Sequence, residues 1–420
     1  MFELFNINLQ LFAGVMNTNV TTANSPGSND LSAEMKTFYS DYLIDNATPK
    51  LVHDQFGQKH PIPKNGGKTI EFRKYSPLPK LTTALTEGVT PDGQSLNVST
   101  ITATVAQYGG YITLSDILML TAIDNNLVQA TKLLGAQAGA TLDTITREVL
   151  NGGTNVIYSG GVTSRTNLVG GAESGNCYLT VDDIKLAVRA LKNQNAERIG
   201  DSWVAIIHPD VSYDLTNDPA WQNVKDYDPK DWYEGEIGRI QGVRFVETTE
   251  AKVFKGAPLS QGASALTVAI AAASGSTVVS VKETLTEADA AALAGRDVLI
   301  QGKKYRVASA SAGTGGAATL LLETSAVQAK EDKVYPGEGG AEGRAVYSTL
   351  VLADNAYGVT EIEGGGLRHI VKQLGSAGTA DPLDQRATVG WKAIKVAERL
   401  VEQFMVRIES TSTFNPTKAN

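Results

Sequence analysis

Between residues 62 and 105 the side chains alternate twice in the rhythm of extended strands. Lys68-Thr-Ile-Glu-Phe-Arg-Lys-Tyr75 and the threonine-rich Ser99-Thr-Ile-Thr-Ala-Thr-Val105 both change character with period two, which is β-strand chemistry. Between them Ser76 to Asn97 carries Pro77, Pro79, Gly88, Pro91 and Gly93 without a sustained apolar period. The pattern predicts a hairpin arm with too little apolar surface to stand alone in water. The chain offers no obvious partner surface of its own, so a neighbouring subunit is the expected support. After the arm the period changes to 3.6. Leu127, Leu134, Ala138, Leu142, Ile145 and Val149 form one stripe from a cap near Asp124 to about Leu150, closed by Gly152-Gly153. This predicts a rod of about 40 Å at 1.5 Å per residue.

The remaining chain reads as mixed α+β. Residues 1–16 are apolar and short, and 17–30 are polar, small and poor in anything to bury. An apolar tip on such a tether suits a hook on a neighbour, and equally a frayed terminus with a fortuitous patch. Leu31–Ile44 reads as a helix capped by Ser32. From Thr180 the pattern is strand and helix by turns. It gives a Thr180-capped helix over 181–191, a buried strand at Trp203–Ile207, a short helix opened by Pro209, and strands at 243–248 and 347–352. Residues 257–340 shift to Ala, Gly and Ser, with strand-like pieces at 266–270, 277–281, 298–300, 305–308 and 319–322 and a helix at 287–293. They predict a small inserted β domain. The chain closes with alternating segments at Val389–Ala393 and Phe404–Ile408 around a charged middle.

Composition narrows the function. A chain of 420 residues suggests two or three domains. Net charge −8 argues against a whole-protein nucleic-acid binder. Cys177 is the only cysteine, so no internal disulfide can form. The first basic residue is Lys36 and no apolar run reaches spanning length, which predicts neither a signal peptide nor a membrane segment. His53, His60, His208 and His369 are isolated, without zinc spacing; His208, before Pro209, reads as a structural histidine. Gly67-Lys68-Thr69 resembles the tail of a phosphate loop, but Ile62 stands where the first glycine is needed. Asp226, Asp228, Asp231, Glu234 and Glu236 gather near Trp221, Tyr227, Trp232 and Tyr233. A hard cation is conceivable there, but Pro229 breaks any EF-hand register, and a solvated or interface loop is the simpler reading. No catalytic constellation stands out, and no cofactor or metal is expected. The candidates for contact between subunits are Lys64, Lys68, Glu71, Arg73, Lys74, Lys80 and Glu87 on the arm, with Trp221, Tyr227 and Trp232 in the loop; the bland alternative is a solvated face.

Asp41–Pro49, Leu51–Phe56, Pro61–Pro79 and Leu85–Gly93, and again Asp381–Arg386 near the C-terminus, resemble the major capsid proteins of tailed bacteriophages, of the podophage coat type. The resemblance implies an HK97-like fold with an N-terminal arm and helix (1–48), a link (49–61), an extended loop (62–113) and a peripheral domain with a spine helix (114–179). An axial domain (180–256 and 341–366), the insertion (257–340) and peripheral C-terminal strands (367–420) would complete it. Its strands at 389–393 and 404–408 would both return to the spine helix, and the insertion would depart from the shared core. The implied function is a structural shell of hexamers and pentamers around double-stranded DNA, assembled in the bacterial cytoplasm. Implied partners are copies of the chain, a portal, a separate scaffolding protein and a cement or decoration protein. An encapsulin-like compartment holding a cargo enzyme is the alternative.

Overall fold

The computed structural model describes residues 16–17, 52–75, 78–84, 87–88, 90, 93–121, 126–170, 175–225, 238–261, 263–315, 317–376, 381–416 and 419. The helix expected at Leu31–Ile44 and the carboxylate loop with Tyr227 and Trp232 lie outside them. Two compact units divide the chain, one of Met1–Thr146 with Tyr357–Leu400, the other of Arg147–Ala356 with Val401–Asn420.

The first unit is a sheet laid against a helix. Its strands are β1 (Met16–Asn17), β2 (Gln58–Lys59), β5 (Ala106–Ser115), β18 (Tyr357–Thr360), β19 (Arg368–Lys372) and β20 (Arg386–Arg399), in the order β1-β5-β20-β18-β2 with β19 also on β20. The hairpin of β3 (Thr69–Tyr75) and β4 (Val98–Thr104) is a separate two-stranded sheet. Helices α1 (Asp116–Thr121) and α2 (Asn126–Asn151) follow β5. Leu127, Leu134, Ala138 and Leu142 of α2 pack on Leu114, Val371, Val389, Trp391 and Ala393. The expected stripe drifts in the last turns, where Thr146 and Leu150 are buried while Ile145 and Val149 are only half-buried. A straight helix shifts its buried face by this amount over several turns.

β20 differs most from expectation. It runs unbroken for 14 residues, and what reads as a charged break is its continuation, because Lys395 points inward and finds a carboxylate there. β5 likewise extends the return limb of the arm into the sheet, paired with β20 from Ala106↔Lys395 to Ser115↔Arg386. The arm proper therefore ends near residue 105.

The second unit holds a seven-stranded mixed sheet. It comprises β6 (Val156–Tyr158), β7 (Trp203–Ile207), β8 (Arg239–Ile240), β9 (Val243–Glu247), β10 (Val253–Phe254), β17 (Val346–Leu352) and β21 (Met405–Ser410), ordered β6-β21-β17-β7-β9-β8 with β10 on β17. β7 and β17 are buried throughout, so they read as continuous apolar runs rather than alternation. Helix α3 (Val181–Asn193) starts at a capping box between Thr180 and Asp183 and lays Ile184, Ala187, Val188 and Leu191 on the sheet core. Helices α4 (Pro209–Thr216) and α5 (Pro219–Lys225) follow β7. His208 caps α4 by accepting from the Asp210 amide through Nδ1 at 3.2 Å, which is a structural role. One expectation is changed here: β21 joins β17 from Tyr347↔Ser410 to Leu352↔Met405, so the last strand belongs to the seven-stranded sheet, and it reaches the spine helix through Arg407, which donates to the carbonyl of Asn151 at the helix end. Its alternation is the same in either sheet, and only long-range pairing decides between them.

The insertion has its own core. Strands β11 (Leu266–Thr267), β12 (Ala272–Val281), β13 (Asp297–Ile300), β14 (Lys303–Ser311), β15 (Ala318–Gln328) and β16 (Lys333–Pro336) form a six-stranded sheet around helix α6 (Glu287–Leu293). Val279, Val281, Leu293, Val298, Val307, Leu320 and Val334 are among its buried residues, distinct from the core of the seven-stranded sheet. Its two ends meet: a side chain on Gly256 would collide with Pro336.

Candidate subunit-contact surface

The root of the arm is held by a buried polar cluster that the sequence did not reveal. The His53 amide and Nδ1 donate to Asp143 of α2 at 2.8 and 2.7 Å, with both side chains fully buried. The neighbouring Asp54 accepts from Thr146 Oγ1 at 2.5 Å and from Lys395 Nζ of β20 at 2.5 Å. Lys395 also donates to the Leu142 carbonyl at 2.7 Å, and Tyr357 donates to the His53 carbonyl. Burial pushes the Lys395 ammonium below the usual lysine range, with Asp54 pulling the other way, and burial pushes the Tyr357 hydroxyl up. This chemistry pins residues 53–54 between helix and sheet. No spacing rule links His53 to Asp143 or Lys395; only an Asp and a Lys at inward positions of an apolar helix stripe and strand could have hinted at it.

Beyond this anchor, Ile62 is buried, and its backbone exchanges hydrogen bonds with Glu361 and Glu363 at 2.8 Å each. Asn65 and Gly67 then turn through positive φ, 66° and 90°, so Lys68-Thr69 begins a strand and not a phosphate loop. The hairpin pairs from Thr69↔Thr104 to Tyr75↔Val98. Cross-strand partners share a face, which divides the arm by chemistry. Ile70, Phe72, Ile101 and Ala103 lie on one face, and Ala103 is buried. Phe72 meets the His60 ring edge-on at 5.6 Å, and a Cβ on Gly358 would touch its ring. The near half of the arm thus rests on its own unit, correcting the expectation that the chain offers it no surface.

Among the described residues the far half has no such support. Tyr75 is 61% exposed, Leu78 51%, Leu81 82%, Leu96 68% and its last pair member Val98 47%. Scattered exposed apolar residues are ordinary, but these five gather on one arm. Lys64, Lys68, Glu71, Arg73, Lys74, Lys80 and Glu87 are all exposed, and none has an ion-pair partner among the described residues. Trp221 is different: it is 3% exposed, edge-on to Phe245 at 5.4 Å in the core of the second unit. That removes it from any surface a neighbour could touch. The missed signal was the apolar tip, because proline and glycine between the limbs concealed Leu78, Leu81 and Leu96 from any periodicity test.

Among the described residues no helix is long and apolar enough to cross a membrane, and no group of His, Cys, Asp and Glu is placed to hold a metal ion.

A sheet on a long spine helix with a projecting hairpin, together with a mixed sheet flanked by helices, is the architecture of an HK97-like shell subunit. The fold is similar to the capsid of Ralstonia phage GP4, at 12% identity over 96% of this chain and 100% of that one, with a TM-score of 0.51. It is also similar to the capsid of cyanophage Pam1, at 13% identity over 95% and 98%, with a TM-score of 0.50. No curated protein sequence matches the chain. Residues 57–303 match the family described as phage capsid protein, and the chain belongs to that family. The match ends at the start of β14, within the inserted domain. The protein is a structural subunit of a bacteriophage capsid, assembling with copies of itself into the shell of the virion.

Proposed function

We propose that the chain tiles an icosahedral shell as hexamers and pentamers around double-stranded DNA, and that the far half of the arm lies on an adjacent subunit. The observation that carries this reading is the exposed apolar set Tyr75, Leu78, Leu81, Leu96 and Val98 on a hairpin whose base is held by its own unit. Burying one leucine side chain is worth about 1.5–3 kcal/mol, and a repeating lattice makes that contact in every subunit. In this reading the first unit, with its spine helix, is the peripheral domain, and the seven-stranded sheet is the axial domain near the capsomer centre. The net charge of −8 suits an inner wall that leaves the genome free. A portal, a separate scaffolding protein and a cement protein are its proposed partners, and the host bacterial cytoplasm its place of assembly. Cutting Pro77–Asn97 and bridging the gap tests the reading. Circular dichroism should report a folded subunit while sedimentation and electron microscopy report no shells; normal shells from the cut chain would refute it.

A further inference from the structure

The sheet of the first unit turns two different faces outward from β20. Val371, Val389 and Trp391 pack on α2, so by alternation Ile370, Lys372, Gly390 and Lys392 point to the opposite side. A groove of about 440 Å³ lies there, lined among others by Tyr111, Ile370, Lys372, Gly390 and Lys392. Its middle row pairs Ile370 with Gly390 and Gly390 with Tyr111. A Cβ on Gly390 would strike the Gly110 carbonyl and Tyr111, so backbone floors the groove between Ile370 and Tyr111, which are 40% and 66% exposed. The charges around it are placed against the stability of the sheet. Arg368 stands directly across from Lys392, and like charges in that position repel. Lys372 follows Arg368 by four residues on β19, about 13 Å at 3.3 Å per residue, with Ile370 midway. Their row neighbours Gly109, Thr113 and Thr388 carry no charge. Among the described residues none of the three cations has an ion-pair partner.

We propose that this face binds an extended acidic segment of a protein other than the capsid chain, with an acidic, an apolar and a second acidic residue at alternate positions. An extended chain turns three such side chains to one side and sets the outer two about 13 Å apart, which is the spacing from Arg368 to Lys372. One carboxylate then lies between Arg368 and Lys392 and relieves their repulsion. The apolar side chain enters the groove between Ile370 and Tyr111, and the second carboxylate meets Lys372. Charge selects the partner. The arm of a second copy carries Lys64, Lys68, Arg73, Lys74 and Lys80 against Glu71 and Glu87, so this face repels it. Duplex DNA supplies phosphates but no apolar side chain for the groove. The face thus suits one of the non-capsid partners proposed above, wherever the arm itself lies.

Fluorescence anisotropy of the full chain at low salt tests this with three labelled peptides. Ser-Asp-Ser-Leu-Ser-Asp-Ser carries the alternating pattern, Ser-Ser-Asp-Leu-Asp-Ser-Ser turns its acids to the other side, and Ser-Lys-Ser-Leu-Ser-Lys-Ser reverses the charge. The first should bind at least about tenfold more tightly than the other two, and Arg368→Glu with Lys392→Glu should exchange the order of the aspartate and lysine peptides. No binding by the native chain, equal binding of the three, or an order that survives charge reversal would overturn the proposal. So would a duplex oligonucleotide that binds as tightly as the first peptide. The single change Lys392→Gln removes a repulsion and should not lower the thermal midpoint; a fall of more than about 4 °C would show that these cations serve the fold, and would overturn the proposal. The charge-reversed chain should still form shells. Folded subunits of it that fail to assemble would make the face a contact between copies and equally overturn the proposal.

Discussion

Replacing Lys395 by methionine should unfold the first unit at markedly lower temperature. Lys395 is 5% exposed, and its ammonium serves the Asp54 carboxylate and the Leu142 carbonyl at 2.5 and 2.7 Å. Methionine fills nearly the same volume, so the transfer and cavity terms are small and the loss is electrostatic. Asp54 keeps Thr146 as a donor but is left as a poorly solvated charge, with a side chain only 14% exposed. Breaking a buried pair by removing one partner costs about 3–5 kcal/mol. For a unit of this size each kcal/mol moves the midpoint by about 2–4 °C, so the loss should be on the order of 6–20 °C. Differential scanning calorimetry of unassembled subunits measures it. Adding Asp54→Asn should recover a good part, because it removes the stranded charge, and the double-mutant cycle should show coupling above about 1 kcal/mol. A midpoint lowered by less than about 2 °C, or additive effects of the two changes, would refute the view that this cluster anchors the root of the arm.

Burial holds the His208 and His369 imidazoles below the usual histidine range. The unfolded chain therefore binds more protons than the folded one below about pH 6.5, and stability is lost as pH falls through the folded values. The variant His208→Asn with His369→Gln should lose less thermal stability than the native chain between pH 7 and 5; an equal or greater loss would show that these histidines do not carry the effect. Glu409 is fully buried between Arg165, at 2.5 and 2.6 Å, and Arg407, at 2.9 Å, so Glu409→Gln should destabilise the second unit by about 3–5 kcal/mol. A change below about 1 kcal/mol in chemical denaturation would contradict that. Excising 257–335 with a short Gly/Ser bridge should leave a folded chain that still assembles, since Gly256 abuts Pro336 and the insertion has a separate core. Aggregated or unfolded product in a sedimentation run would count against its independence.

The elements that local pattern could predict are those whose chemistry is local. Thr180 with Asp183, Trp203–Ile207, Glu287–Leu293 and the spine helix each carry a cap, a run or a period within one element. What escaped depends on partners far apart in sequence. Lys395 looks like a strand breaker until Asp54, 341 residues away, neutralises it. Met405–Ser410 alternates equally well for either sheet. Trp221 is aromatic among carboxylates and suggested a surface, but Phe245 and the sheet claim it. On the arm the sequence showed the hairpin and the need for support, and attention fell on its charges. The structure shifts the emphasis to leucines in a proline-rich stretch, where hydrophobic residues have no period to betray them.

The central claim is that the far half of the arm is buried by another subunit in the assembled shell. A reconstruction of the shell at side-chain resolution tests it most directly. The account predicts Tyr75, Leu81 and Leu96 enclosed by residues of an adjacent subunit. A shell in which these side chains remain in solvent, or fold back onto their own subunit, would contradict it.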